Sequence, residues 1–191
     1  MASSPESRYI RNNDTFPIPR QGANEILARS AEKVVIGCLN ENLKRMGIAT
    51  RPATSTEDSG IMHKGGKQID AVLIEGSNKK PIMCVQITIA TDSSVQMKKV
   101  TQLAEKPFVR LEEMKSQDTP IPKVVVGLNP GEIEAFLNDP YFLKHPRIWE
   151  KIKSDIIKSL LFVLNMTKNE KEKDRAREML TLFTNNTSTS H

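Results

Sequence analysis

The chain has 191 residues, of which 38% are hydrophobic and 27% are charged. This length suits one domain with a buried core, and no apolar run approaches the roughly 18 residues that span a membrane, so we expect no membrane partner. The formal net charge of +5 favours an anionic partner, with nucleic acid first.

The first predicted elements are a flexible arm and a long helix. Residues 1–20 are rich in Ser, Pro, Asn and Arg and lack the layout of a secretory signal, which predicts the arm. Residues 23–46 carry apolar side chains at helical spacing, and Gly47 stands at the predicted end of the helix. The apolar stripe consists of Leu27, Ala31, Val34, Val35, Cys38, Leu39, Leu43 and Met46.

A pair of apolar strands follows in the middle of the chain. The two runs, residues 68–74 and 82–90, are joined by a turn and preceded by a short predicted strand and a polar loop. Later periodicity and turn signals predict helices over 95–106, 107–115, 132–138, 148–164 and 168–183, and a central strand over 123–128. The last helix alternates acids and bases, so we expect most of it to face solvent.

This order predicts an α/β single domain with a mixed central sheet flanked by helices. We expect the core over residues 21–138, C-terminal helices packed on it over 139–184, and a disordered tail over 185–191. The only cysteines, Cys38 and Cys84, lie in apolar contexts. They predict buried free thiols in a reducing intracellular compartment, the nucleus or the cytoplasm.

Three polar side chains interrupt the apolar strand pair. Asp70 lies near the start of the first strand, and Gln86 and Thr88 lie two residues apart on the second. Side chains alternate between the faces of a sheet, so Gln86 and Thr88 share one face. A polar pair on an otherwise apolar strand indicates a functional site or an internal hydrogen-bond network.

The element order and these positions resemble the PD-(D/E)xK nuclease superfamily over residues 24–128. The resemblance implies a restriction-endonuclease-like sheet and a helical C-terminal extension. It also implies a Mg²⁺ or Mn²⁺ site formed by Asp70, Gln86 and a helix acid, Glu32, with Glu25 as its competitor. Thr88 occupies the position of the family's lysine, so Lys98 or Lys99 of the following helix would have to replace that lysine.

The pattern departs from the family at Gln86 and Thr88. A Gln carbonyl can bind Mg²⁺ but supplies no neutralising charge, and a Thr hydroxyl cannot act as a cation. The run Val85-Gln86-Ile87-Thr88-Ile89 resembles more narrowly the nuclease-like regions of Crinkler effectors and retrotransposon hot spot proteins.

Each candidate residue also has a structural interpretation. Asp70 can cap a turn or pair with Lys67, Gln86 and Thr88 can bind each other, and Glu32 can form an ordinary helix pair. Basic residues bordering the strands predict a nucleic-acid surface, with DNA as the expected ligand, or else solubilising loop charge. These residues are Lys64, Lys67, Lys79, Lys80, Lys98 and Lys99.

Three functions therefore stay open. The first is a metal-dependent DNA endonuclease, and the second is a catalytically inactive module of the same fold that binds nucleic acid or a protein. The third is an interaction protein unrelated to nucleic acid, such as an effector or assembly subunit. Its partner would be another protein or a second copy of this chain.

Overall fold

The computed structural model describes residues 20–52, 70–75, 80–89, 108–109, 119–137 and 146–185. Their elements, in chain order, are α1 (Arg20–Arg45), β1 (Thr50–Pro52), β2 (Ala71–Glu75), β3 (Pro81–Thr88), β4 (Phe108–Val109), β5 (Ile121–Gly127), α2 (Pro130–Leu137), α3 (Pro146–Met166) and α4 (Glu170–Asn185). Within these ranges, no helix is long and apolar enough to cross a membrane.

Helix α1 ends where the sequence predicts. Gly47 adopts a φ of 84°, a left-handed conformation that glycine enters without steric cost. The Gly47 amide donates to the Lys44 carbonyl at 3.0 Å, and the Ile48 amide donates to the Leu43 carbonyl at 2.9 Å. This pair of bonds is a Schellman motif, which satisfies carbonyls that the last helical turn leaves open.

The strands form a mixed sheet in the order β1-β2-β3-β5-β4. Strands β1, β2 and β3 are antiparallel neighbours, and β5 runs parallel to β3. All eight residues of β3 are buried, as expected for a central strand. The predicted α/β class, mixed sheet and strand pair are therefore confirmed.

The two faces of the sheet differ in chemistry. On one face, Leu73, Met83 and Val85 join a single apolar core with side chains of α1 and α3. On the opposite face Cys84, Gln86 and Thr88 alternate with that set and are also buried. One buried face is thus apolar, and the other contains a polar band.

Helix α3 completes one edge of the sheet with side chains. Among the described residues, strand β4 pairs with β5 at Ile121 and Pro122. Further along β5, Ser159 of α3 binds the backbone of Val125, and Lys151 and Asp155 bind the backbone of Gly127. The helix therefore contacts the sheet through polar side chains beside its buried apolar stripe of Ile148, Ile152, Ile156, Leu160 and Val163.

Two sequence predictions need correction. The helix predicted over 107–115 is wrong at Phe108–Val109, which form β4 because they pair with β5 from a distance in sequence. The expected exposure of α4 holds for most of its residues but not for one face, where Arg175, Ala176, Met179 and Phe183 are buried. The predicted helix over 95–106 lies outside the described residues, as do residues 1–19 and 186–191.

Candidate acidic site at the start of β2

Asp70 is held in place at the start of β2. Its amide donates to the Val85 carbonyl at 3.0 Å, and its Oδ2 accepts a hydrogen bond from the Ile87 amide. The first paired residue of β2 is Ala71, opposite Val85. The regular pairing of β2 with β3 therefore stops before Asp70. There the Asp70 carboxylate takes the place of a backbone carbonyl of β2 as the acceptor for the Ile87 amide of β3.

Glu32 of α1 lies within electrostatic reach of Asp70. Glu32 is half-buried, and burial is the largest cause of its raised pKa. The negative charge of Asp70 raises the pKa of Glu32 further, while Arg29 opposes the shift. The fold thus brings together two carboxyl groups that are remote in sequence.

Gln86 lies on the polar face of β3, opposite the face that packs against α1. Gln86 is 0% exposed and Thr88 is 8% exposed. Their shared face, inferred from alternation alone, agrees with the observed strand.

The other acid proposed on α1 has a different environment. Glu25 is exposed and pairs with Arg29 at 2.8 Å, one helical turn along. Of the two helix acids, Glu32 is therefore the one that the fold couples to Asp70.

The predicted basic surface is represented by one described residue. Lys80 is exposed and lies 3.8 Å from Glu178 of α4. It borders a cleft of about 380 Å³ at the opposite end of β2 from Asp70. The other predicted contacts lie outside the described residues: Lys64, Lys67, Lys79, Lys98 and Lys99.

Two features near the polar face were missed in the sequence. Lys123 is 6% exposed and pairs in register with Cys84, so it shares the face of Gln86. Asp155 and Thr88 both approach Gly127: a Cβ built there would lie 4.0 Å from Asp155 Oδ2 and 3.6 Å from Thr88 Cγ2. The alternation of side chains along β5 could have placed Lys123 on the polar face. The position of Asp155 could not be predicted in this way, because it depends on how α3 packs on β5.

The oxygen ligands at the start of β2 suit a hard divalent cation. Mg²⁺ commonly binds one or two carboxylates and takes its remaining ligands from water and phosphate. Glu32 and Asp70 offer two carboxylates, whereas the predicted third ligand, Gln86, lies on the face of the sheet opposite α1. Across the described ranges, no group of three or more His, Cys, Asp or Glu side chains could hold a metal ion.

The buried cysteines, by contrast, offer no nucleophile at this site. Both Cys38 and Cys84 are buried free thiols, as predicted. Burial raises the pKa of Cys38 to about 12, so its thiol stays protonated and weakly reactive at neutral pH.

In comparisons with protein-family models, curated proteins and solved structures, the chain has no match.

Proposed function

We propose that this chain is a PD-(D/E)xK-like domain that hydrolyses DNA phosphodiester bonds with Mg²⁺ or Mn²⁺. The observation that carries the proposal is the coupling of Glu32 on α1 to Asp70 at the start of β2. These are the helix acid and the strand acid that the resemblance implies. Their proximity supports the proposal because it depends on tertiary packing and not on sequence spacing.

The arrangement of elements supports the same proposal. Helix α1 precedes an antiparallel run of β1, β2 and β3, and β5 returns parallel to β3. This agrees with the helix–strand–strand–helix–strand order of the resemblance, except that its second helix, over 95–106, lies outside the described residues. A restriction-endonuclease-like sheet is accordingly part of the proposal.

Glu32 and Asp70 would hold the cation without Gln86, the third ligand that the resemblance implies, because Gln86 lies on the sheet face opposite α1. A divalent ion would offset the like charges that now raise the pKa of Glu32. When bound, such an ion lowers the pKa of a water ligand and neutralises charge on the phosphate. With two carboxylates, affinity would depend strongly on the phosphate oxygens of the substrate.

The protein side chains would have distinct tasks. The Ile87 amide would orient Asp70 by holding its Oδ2. Thr88 can donate a hydrogen bond, but its hydroxyl carries no positive charge toward phosphate. Lys98 or Lys99 is proposed to supply that charge, and Lys64, Lys67, Lys79 and Lys80 to contact the DNA backbone.

A second candidate is a module of the same fold that binds nucleic acid without cutting it. The observation that favours it is that Gln86 lies on the sheet face opposite α1 and Glu32, which leaves at most two carboxylates among the described residues and lowers the expected affinity for Mg²⁺. Such a module would retain DNA in a salt-dependent manner and show no metal-dependent cleavage.

A plasmid-nicking assay with Mg²⁺ or Mn²⁺ separates the two candidates. We expect Asp70→Asn and Glu32→Gln to lower nicking at least about tenfold, since each removes a charged ligand. Asn at position 70 keeps an acceptor for the Ile87 amide, which limits structural damage. Glu41→Gln is the matched control, because Glu41 is on the same helix and pairs with Arg45 at the surface.

The outcomes are distinct. Metal-dependent nicking that falls in both site variants and persists in Glu41→Gln supports the enzyme. DNA retention without nicking supports the binding module. Nicking that is equal in all variants contradicts the assignment of Glu32 and Asp70.

A further inference from the structure

The outer edge of β5 changes partner along its length. Residues Ile121 and Pro122 pair with β4. At Val125 and Gly127, within the described part of the chain, the backbone groups on this edge bind side chains of α3 in place of a strand. A helix therefore takes over the role of an edge strand.

Side chains of α3 replace all the backbone hydrogen bonds of a neighbouring strand at Val125 and Gly127, whose amides and carbonyls point away from β3. The Val125 amide donates to Ser159 Oγ at 3.0 Å, and this hydroxyl donates back to the Val125 carbonyl at 3.3 Å. The Gly127 amide donates to Asp155 Oδ2 at 3.1 Å, and Lys151 Nζ donates to the Gly127 carbonyl at 2.6 Å. Both polar backbone groups of both residues are thus satisfied.

One line of α3 supplies all of these contacts. Lys151, Asp155 and Ser159 recur every four residues, so they lie along one side of the helix, next to its buried apolar stripe. Lys151 and Asp155 also lie 3.6 Å apart. We call these three side chains the edge strap.

The covered strand is one that would otherwise associate with other strands. Val124, Val125 and Val126 form an uncharged run of β-branched residues, which favours strand pairing. Unpaired edges of this composition pair readily with another chain. We propose that the edge strap keeps the β5 edge closed against β5 of a second copy of this chain.

The test uses the full chain with Asp155→Ala and Ser159→Ala combined. Opening the edge should strengthen self-association at least about tenfold over the wild type, measured by sedimentation velocity across a concentration series. Adding Val125→Pro should suppress this association, because proline lacks the amide hydrogen that a second strand would bind. The hydrogen bonds between β5 and β3 do not use this amide and would remain.

Two controls separate edge pairing from simple loss of stability. Glu150→Ala changes an exposed residue on another side of the same helix and should leave association unchanged. Ile156→Ala weakens the core under α3 without removing an edge contact. Its self-association is compared with that of the double variant under conditions in which both have lost the same free energy of unfolding. The proposal is overturned if the double variant associates no more than the wild type. It is overturned equally if Ile156→Ala associates as strongly or if Val125→Pro has no effect.

Amide hydrogen exchange keeps the proposal testable if the double variant fails to fold. In Ser159→Ala alone, the Val125 amide should exchange faster than in the wild type, while the amides of β3 stay protected. Unchanged exchange at Val125 would show that the hydroxyl does not close this edge.

Discussion

Glu32 occupies an unfavourable place for a negative charge, being half-buried near the Asp70 carboxylate. Because its pKa is raised in the folded state, the folded protein holds more protons than the unfolded chain between the two pKa values. Raising the pH through this interval therefore lowers the free energy of unfolding. Residues of this kind often serve ligand binding at the expense of stability.

Glu32→Gln should consequently stabilise the metal-free protein at neutral pH. We expect a gain below about 1 kcal/mol, since a half-exposed charge is screened by solvent. The gain should vanish below the ordinary glutamate pKa of 4.5, where both states are protonated. Urea unfolding of this variant and of Glu41→Gln at acidic and neutral pH measures the difference. A loss of stability at neutral pH, or a gain independent of pH, would contradict this description of Glu32.

Gly47 gives a second prediction about a single residue. No atom lies within 4 Å of a Cβ built there, so Gly47→Ala meets no steric obstacle from its surroundings. Its left-handed φ alone should cost about 1 kcal/mol of unfolding free energy. Gly131→Ala in the first turn of α2 is the control and should cost nothing or stabilise slightly. Equal effects of the two changes in denaturant unfolding would contradict the role of Gly47.

Individual residues also show which parts of the candidate site could be predicted from the sequence. Alternation on one strand was enough to place Gln86 and Thr88 on a common face. The coupling of Glu32 to Asp70 stayed one alternative among several, because it depends on how α1 packs. Lys123 was overlooked within an apolar run, although its register with Cys84 puts it on the polar face.

Among the elements, α4 has a buried face that the sequence did not reveal. Its alternating charges suggested exposure, but Arg175 is only 5% exposed and attaches the helix to the sheet. Its Nη2 donates to the Pro81 carbonyl at 3.1 Å, and its Nη1 donates to Glu178 at 2.6 Å. A charge pattern cannot reveal a contact with a carbonyl that lies far away in sequence.

Arg175→Met should lower the free energy of unfolding by about 1–3 kcal/mol, because the Pro81 carbonyl loses a charged donor. Arg177→Met is the control on the same helix and should change it by less than about 0.5 kcal/mol. Its partner Asp174 is exposed, as is Arg177 itself. Chemical unfolding of both variants measures the difference, and equal effects would show that Arg175 does not anchor α4.

The same arginine sets the acid response of α4. Burial by itself raises the pKa of Glu178, but the hydrogen bond and charge of Arg175, helped by Lys80, outweigh it and leave that pKa below the ordinary value. The stability gained from this pair is present above the unfolded pKa and is lost as pH falls through the lower folded pKa. Arg175→Met should reduce that acid loss, which is small because Glu178 is largely exposed.

Element positions followed from periodicity where a segment carries its own signal. Helix α3 and strand β3 are long and strongly patterned, and both appear close to their predicted bounds. Strand β4 has two residues and exists through its pairing with β5, so local sequence could not predict it. The edge strap escaped prediction for the same reason.

For the whole molecule, the order of the predicted elements indicated an α/β domain with a mixed sheet, and the described residues confirm that class. The parallel return of β5 beside β3 was not determined by element order alone. It is this return that sets Lys123 and Gly127 next to the polar strand. The net charge of +5 stays a general indication of an anionic partner until binding is measured.

Anomalous diffraction from crystals soaked in Mn²⁺ would examine the acid pair itself. We predict a peak within ligand distance of both the Glu32 and the Asp70 carboxylates, and its loss in crystals of Glu32→Gln. Crystals of Glu41→Gln should retain the peak. No peak between Glu32 and Asp70, or one that persists in Glu32→Gln, would contradict a divalent-cation site at the start of β2.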